Sequence, residues 1–333
     1  MTNPTRRRLA ALVAALLGAT ALAGQAAAQT TIRLAHHLPE DSEQHLAATR
    51  FAEIVEERSE GELRVEVLPA GQMGGQREII ESVQLGTLEM GYGESGLYAN
   101  YVPAFGVLTL PYLYDGRDHW TQVVTGDIGG GLAERLEAET GLVVLNWILA
   151  GYRDTYSKDV ILDTPEAFAG VKIRVPESPV FVETFRALGA EPTPIPSPEI
   201  YTALQTGVVS AMEGTPEVGY IQRIYEVADH LNKTRHILFD GSFVTSRMFL
   251  DGLSEGQRGI LLDAAAEVAE AQRAESEGRE ADWFEQLDAA GIAIHEVDLE
   301  PFREALRPVQ DSFATQAGAT DIVEAIRAAG GGA

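Results

Sequence analysis

The chain has 333 residues, no cysteine, and a formal charge of −25 from 50 acidic against 25 basic side chains. Without thiols it has no disulfide, thiolate metal site or cysteine nucleophile, and none of the lipidated N-terminal cysteine that tethers an exported protein to a membrane. So acidic a composition lacks the basic stripes that track phosphate, which excludes nucleic acid as a partner.

The first residues read as an export signal. Arg6, Arg7 and Arg8 form a basic segment, Leu9 to Ala23 an apolar one, and Ala26-Ala27-Ala28 an A-x-A site, so cleavage is expected after Ala28, with the mature chain starting at Gln29 in the periplasm. Thr5-Arg6-Arg7 suits twin-arginine as well as general export, and the route stays open. Loss of the three leader arginines takes the charge to −28. The apolar run is too short and wrongly flanked to span a bilayer, and no later segment approaches the length needed, so a membrane partner would be a separate chain. The remaining chain of about 305 residues suggests two domains, and a monomer without cofactor or metal is expected.

In chain order, Thr31–His37 alternates as a short strand, and a helix follows from Ser42 with Leu46, Ala47, Phe51, Ile54 and Val55 at the 3.6 period. GELRVEVLPAG (61–71) is the next strand, Gln76–Leu85 a helix stopped by Gly86, and LEMGYGES (88–95) a strand ending in Glu94 and Ser95. This βαβαβ order belongs to a sheet with helices on both faces. Gly141–Leu149 is a continuous apolar run of the kind found in fully buried parallel strands.

A second region begins near Gly151. In GVKIRVP, Val171, Ile173 and Val175 alternate with Lys172 and Arg174, which places Arg174 on the face opposite the aliphatic one, and Pro176 ends the ladder. A guanidinium at a strand end of an open α/β sheet can hold a carboxylate through two parallel hydrogen bonds; a solvated edge-strand arginine is the competing reading. Helices are expected at Pro179–Leu188 and Pro198–Thr206, the latter closed by Gly207, and residues 236–250 read as a strand returning to the first domain. Residues 254–287 have helical period throughout, long enough to run along both domains.

Enzyme signatures are weak. Gly74-Gly75 lacks a following G-K-[S/T], and neither G-x-S-x-G nor H-E-x-x-H occurs. His36 and His37 are strand neighbours that point to opposite faces, so one ion would not take both. Ser42, Glu43 and His45 read as helix-start residues rather than a catalytic triad.

The run KIRVP, ALGAEPTPIP, EIYTALQTGVVSAMEGTP and IYEVADHLNKTRHIL, together with residues 51–91 and VPAFGVLTLPYLY upstream, resembles the periplasmic solute-binding subunits of tripartite ATP-independent periplasmic (TRAP) transporters, of the dicarboxylate-binding type. The resemblance covers nearly the whole mature chain. It implies an α/β fold of two domains with a hinge and a long domain-spanning helix, no enzymatic activity, an organic anion clamped between the domains, and delivery to integral membrane permease subunits. The expected units are residues 29–151 with 240–279 and residues 152–239 with 280–333, with hinges near Gly151 and Asp240.

By register the resemblance makes Arg174 the main carboxylate ligand and Arg153, in Gly151-Tyr152-Arg153, a second one. From the residues alone, Arg153 could equally be a hinge arginine satisfying backbone carbonyls. Positions that contact ligand in sialic-acid-binding members fall on His37, Gln76 and Glu94, although His37 and Gln76 could only be helix-start residues. Three departures bear on the substrate: Gly214 stands where asparagine is common, Ser197 where an aromatic is common, and Leu97 where sialate binders carry arginine. These disfavour sialic acid and leave room for a longer acid, with hydroxyls for Glu94, Gln76 and His37 to bind. A uronate or aldonate is expected, with a C4-dicarboxylate or an aromatic acid as competitors. A ligand-presenting sensor subunit and a periplasmic lyase or hydrolase using Glu94 with His37 are the other readings.

Overall fold

The computed structural model describes residues 29–330; the expected leader, its cleavage site and the last three residues lie outside that range. β1 (Thr30–Ala35), α1 (Glu43–Arg58), β2 (Leu63–Leu68), α2 (Gln76–Gln84) and β3 (Met90–Gly93) reproduce the βαβαβ reading, with β1 parallel to both β2 and β3. α1 starts where its cap residue says it should: Ser42 Oγ accepts a hydrogen bond from the His45 N–H at 3.1 Å. Its apolar stripe, Phe51, Ile54 and Val55, packs with Ile32, Leu34 and Val65. Short α3 (Ser95–Tyr98), α4 (Arg117–Thr125) and α5 (Asp127–Thr140) follow.

The run 141–149 is not one parallel strand. It is split into β4 (Leu142–Val144) and the start of β5 (Ile148–Ser157), both antiparallel to β9 (His230–Ser246). The interruption has a polar cause: Asn146 Nδ2 donates to Ala265 O at 3.0 Å and its Oδ1 accepts from the Phe243 N–H at 2.8 Å. An apolar run alone does not reveal strand direction, and one asparagine takes the place of the ladder.

The second half contributes β6 (Lys172–Val175), α6 (Pro179–Ala187), β7 (Glu191–Pro194), α7 (Ile200–Gln205), β8 (Ala211–Gly214) and α8 (Pro216–Ile221). The sheet order is β2-β1-β3-β9-β5-β8-β6-β7, with β4 also on β9. β9 is the common rail. Its residues 242–245 pair with β3, and its stretch from His230 to Gly241 pairs with β5. After α9 (Arg247–Asp251) comes the expected long helix, α10 (Glu255–Ala290), which opens on a capping box of Ser254 and Gln257. Leu261, Ala264 and Val268 pack with Phe51, whereas Leu287 packs with Tyr156, so one helix does serve both halves.

β10 (Ala293–Glu296), α11 (Glu300–Gln316) and α12 (Thr320–Ala329) complete the chain. The expected division puts residues 280–333 with the second unit, and Phe302, Leu306 and Val309 do pack there with Phe168 and Phe185, whereas Phe313, Ala314, Ala319, Val323 and Ile326 pack with Trp120 and Val123 of α4. The end of the chain returns to the first half because α12 needs an apolar surface to cover its buried face, and α4 supplies it.

Where β9 passes from one half to the other, a Cβ on Gly241 would lie 1.9 Å from Oη of the fully buried Tyr92 and 2.2 Å from its Cζ. Gly278, in the middle of α10, has open space around it. Gly241→Ala is therefore expected to lower stability by about 1–3 kcal/mol and Gly278→Ala to raise it by up to about 1 kcal/mol. Urea unfolding midpoints check the pair, and equal shifts of one sign would contradict the packing described.

Candidate anion-binding site

β6 lies between β8 and β7, so Arg174 is an interior residue, 4% exposed, and the solvated edge-strand reading does not hold. Its Nε donates to Ile195 O at 2.8 Å, which turns the two Nη groups toward a cavity between the halves. Burial lowers its pKa to about 10, so it stays cationic at neutral pH.

Arg153, on β5, is held differently. Its Nε and Nη2 donate to the two carboxylate oxygens of Glu213, the latter at 2.7 Å, and Nη2 also reaches Glu213 O at 3.1 Å. The guanidinium is stacked 4.2 Å from the ring centre of Phe239 and 5.1 Å from that of Phe181. Glu213 comes from β8, paired in register with Thr155 of β5, and has no exposed surface. Burial opposes its ionisation, yet Arg153, with His236 Nε2 at 3.4 Å, holds the carboxyl at about 2. Arg153 thus spends its charge and its bidentate face on the protein itself. The Arg174 Nη1 lies 4.0 Å from the same carboxylate. Two guanidinium groups face one permanently ionised acid.

The opposite wall comes from three loops after or before parallel-sheet elements: His37 beyond β1, Gln76 at the start of α2, and Glu94 beyond β3. Gln76 Nε2 is 3.3 Å from His37 Nε2, a contact in which the amide donates to the ring when its proton sits on Nδ1. His37 Nε2 is 4.0 Å from Glu94 Oε1. Burial, with His36 and the two arginines beyond it, lowers His37 to about 3, so the ring is neutral. Burial lifts Glu94 to about 7 against the pull of Arg153. His36 faces away and contacts His45 at 3.1 Å, as strand alternation requires.

Six of the seven sequence candidates, Arg174, Arg153, Glu94, His37, Gln76 and Ser197, line this one cavity. Gly214 does not; its neighbour Thr215 does, and a Cβ on Gly214 would meet Met212 Cε at 2.7 Å. Ser197 does not simply leave empty space, since its Oγ accepts from Gln222 Nε2 at 2.8 Å. Sequence reasoning misses Glu213, although it stands within the EIYTALQTGVVSAMEGTP run. Its alternation with the neighbouring Gly214 and Met212 on a short strand is the available signal. Ser178 and Gln44, which also line the cavity, carry no signal of their own.

The walls touch beyond the cavity. Glu217 Oε1, from α8, accepts the Glu43 N–H at the start of α1 at 2.6 Å, and Asn100 Nδ2 donates to Glu177 O at 2.8 Å. On the far side of β5, Glu280 of α10 receives Arg117 and Arg235, each at 2.8 Å, and the Tyr152 N–H at 3.1 Å. Residues near Gly151 and Asp240 are therefore flanked by contacts from both halves.

The arginine-floored cavity lies between two α/β halves that share one long strand and one long helix. The profile of the bacterial extracellular solute-binding proteins of family 7 matches residues 34–316, and the chain belongs to that family. A solute-binding protein of Verminephrobacter eiseniae is 32% identical over 330 residues, 99% of this chain and 98% of that one. A TRAP periplasmic solute binding protein from Polaromonas sp. JS666, crystallised with D-erythronate, superposes with a TM-score of 0.86 at 31% identity, covering 90% of this chain and 99% of that one. Its counterpart from Roseobacter denitrificans, with bound β-D-glucuronate, gives 0.85 at 29% identity, covering 90% and 99%. The two crystallised relatives are TRAP periplasmic solute binding proteins.

The raised pKa of Glu94 has a definite consequence for stability. Between its unfolded value of 4.5 and about 7 the folded protein keeps a proton that the unfolded chain has lost, so this group's contribution is complete below 4.5 and is lost as pH rises through about 7. Glu94→Gln has no such loss. Thermal unfolding of the ligand-free proteins should show the variant gaining on the wild type from pH 5 to about pH 7 and levelling off above it, and a constant difference throughout would contradict the burial described.

Proposed function

We propose that this chain captures a hydroxylated monocarboxylic acid, a uronate or aldonate, in the periplasm and delivers it to separate TRAP permease subunits in the membrane. The observation that carries the reading is the pairing of Arg153 with Glu213, which leaves the cavity with the excess charge of one guanidinium and Arg174 as its outward-facing donor. One ligand carboxylate balances it. A second, at the far end of a short diacid, would have no cation beside it and would lie against the Glu94 carboxyl, whose ionisation burial already opposes. A hydroxyl there meets acceptors and donors instead: Glu94, Gln76 and His37. D-Erythronate and β-D-glucuronate, bound by the two relatives above, each join one carboxylate to several hydroxyls, which supports the same class here.

The delivery step rests on family membership, and the periplasmic location also rests on a leader that lies outside the described residues. We assign residues 29–151 with 240–279 to one moving unit and 152–239 with the following part of α10 to the other, hinged near Gly151 and Asp240, with the closing segment of the chain riding on the first. The contacts of Glu217 and Glu177 across the cleft are those of a closed form.

In a thermal-shift panel, hexuronates and aldonates are expected to raise the melting temperature more than succinate or malate at equal concentration. With the acid so identified, Arg174→Ala should cut affinity by a hundredfold or more, because removing one partner of a desolvated charge pair costs about 3–5 kcal/mol. Arg174→Lys should not rescue it, since an ammonium lacks the planar fork. Stabilisation by C4-dicarboxylates alone would contradict the sugar-acid reading, and a loss below fivefold in a folded Arg174→Ala variant would contradict the anchor.

A further inference from the structure

Ser178 stands immediately before α6, at the position where serine ordinarily turns its hydroxyl onto a backbone N–H of the first helical turn. Here it makes no such bond. The residue is 2% exposed, its Oγ has no partner among the described residues, and it lines the ligand cavity. It sits at the seam between the two walls, where a Cβ on Gly96 would come within 3.1 Å of its Oγ. Behind it, Pro179 has no N–H, and Val180 and Phe181 carry N–H groups with no acceptor four residues back in the helix. α6 is nine residues long, and it presents its uncapped, electropositive end at the cavity lined by Ser178 and Phe181.

The anion site needs such a group. Arg174 has its Nε committed to Ile195 O, and Arg153 is committed to Glu213. The two Nη groups of Arg174, and the Arg153 Nη1 that makes no bond to Glu213, remain to serve a carboxylate with about four lone-pair directions. We propose that Ser178 and the N-terminus of α6 form the second arm of this site, with the ligand carboxylate seated between the Arg174 guanidinium and the Ser178 hydroxyl and backbone N–H groups of α6. The inference rests on reading the cavity as an acid site. The ligand then supplies the anion that the helix lacks, and Ser178 is a specificity-determining residue for the charged end of the solute.

Two variants separate this role from a structural one. Calorimetric titrations use D-glucuronate, D-galacturonate, D-erythronate and succinate as probes, alongside thermal unfolding without ligand. Ser178→Ala should leave the ligand-free melting temperature unchanged and weaken binding about tenfold, the worth of one hydrogen bond to a charged group. Ser178→Asp places a good helix cap at the same position; it should hold or raise the ligand-free melting temperature and weaken binding more than a hundredfold. Should Ser178→Asp fail to fold, Ser178→Gly, which is tolerated at a helix start, repeats the test of the missing hydroxyl. A Ser178→Ala variant, or its glycine substitute, that melts lower yet binds as the wild type would overturn the proposal, as would wild-type affinity in Ser178→Asp. If succinate alone binds the wild type, the sugar-acid reading fails and the comparison proceeds with succinate; a wild-type protein that binds none of the four overturns both.

Discussion

Arg153 and Glu213 face each other almost wholly buried, joined through both carboxylate oxygens, and the rest of the binding site is arranged around that pair. Breaking such a pair by removing one partner costs about 3–5 kcal/mol, because the other charge is left buried and unpaired. The pair ties β5, the strand that carries Gly151, to β8 in the interior of the sheet. It also sets the charge of the cavity. Without Glu213 two arginines would stand side by side, each desolvated, and the site would call for two anionic groups. With it, Arg174 is the group left to seek a partner.

Placing that group requires the whole topology. Arg174 is oriented by Ile195 O, a carbonyl 21 residues downstream at the end of β7, and approaches Glu213 because β6 and β8 are parallel neighbours. His37, Gln76 and Glu94 meet it only because β9 and α10 hold the two halves against each other. A shared strand and a shared helix leave few backbone dihedrals at which the halves can turn, and the knot of Arg117, Arg235 and Tyr152 on Glu280 lies directly behind them. Under the proposed closure, binding and closing are then one event.

Much of this is legible in the amino-acid sequence. The 3.6 and 2 periodicities place β1 to β3, the Ser42 cap and the long α10, since each depends on residues close together in the chain. Arg174 is legible as a candidate because alternation separates it from Val171, Ile173 and Val175. Glu213 is not, since its meaning depends on β8 lying beside β5, which brings it against an arginine 60 residues earlier. The break at Asn146 and the return of α12 to the first half escape for the same reason: both are answered by partners far away in sequence. Ser197 invites the opposite error. A small side chain reads as vacant space, but its hydroxyl is engaged by the Gln222 amide.

The central claim is that the cavity balances one carboxylate and no more. D-Galactonate and D-galactarate have the same carbon skeleton and hydroxyls and differ in a single terminal group, an alcohol in one and a second carboxylate in the other. Titrated calorimetrically against the wild-type protein at neutral pH, galactonate is expected to bind at least about tenfold more tightly, a difference of about 1.4 kcal/mol. Equal affinity, or a preference for galactarate, would contradict the account, because it would mean that Glu213 does not neutralise Arg153 in the binding site.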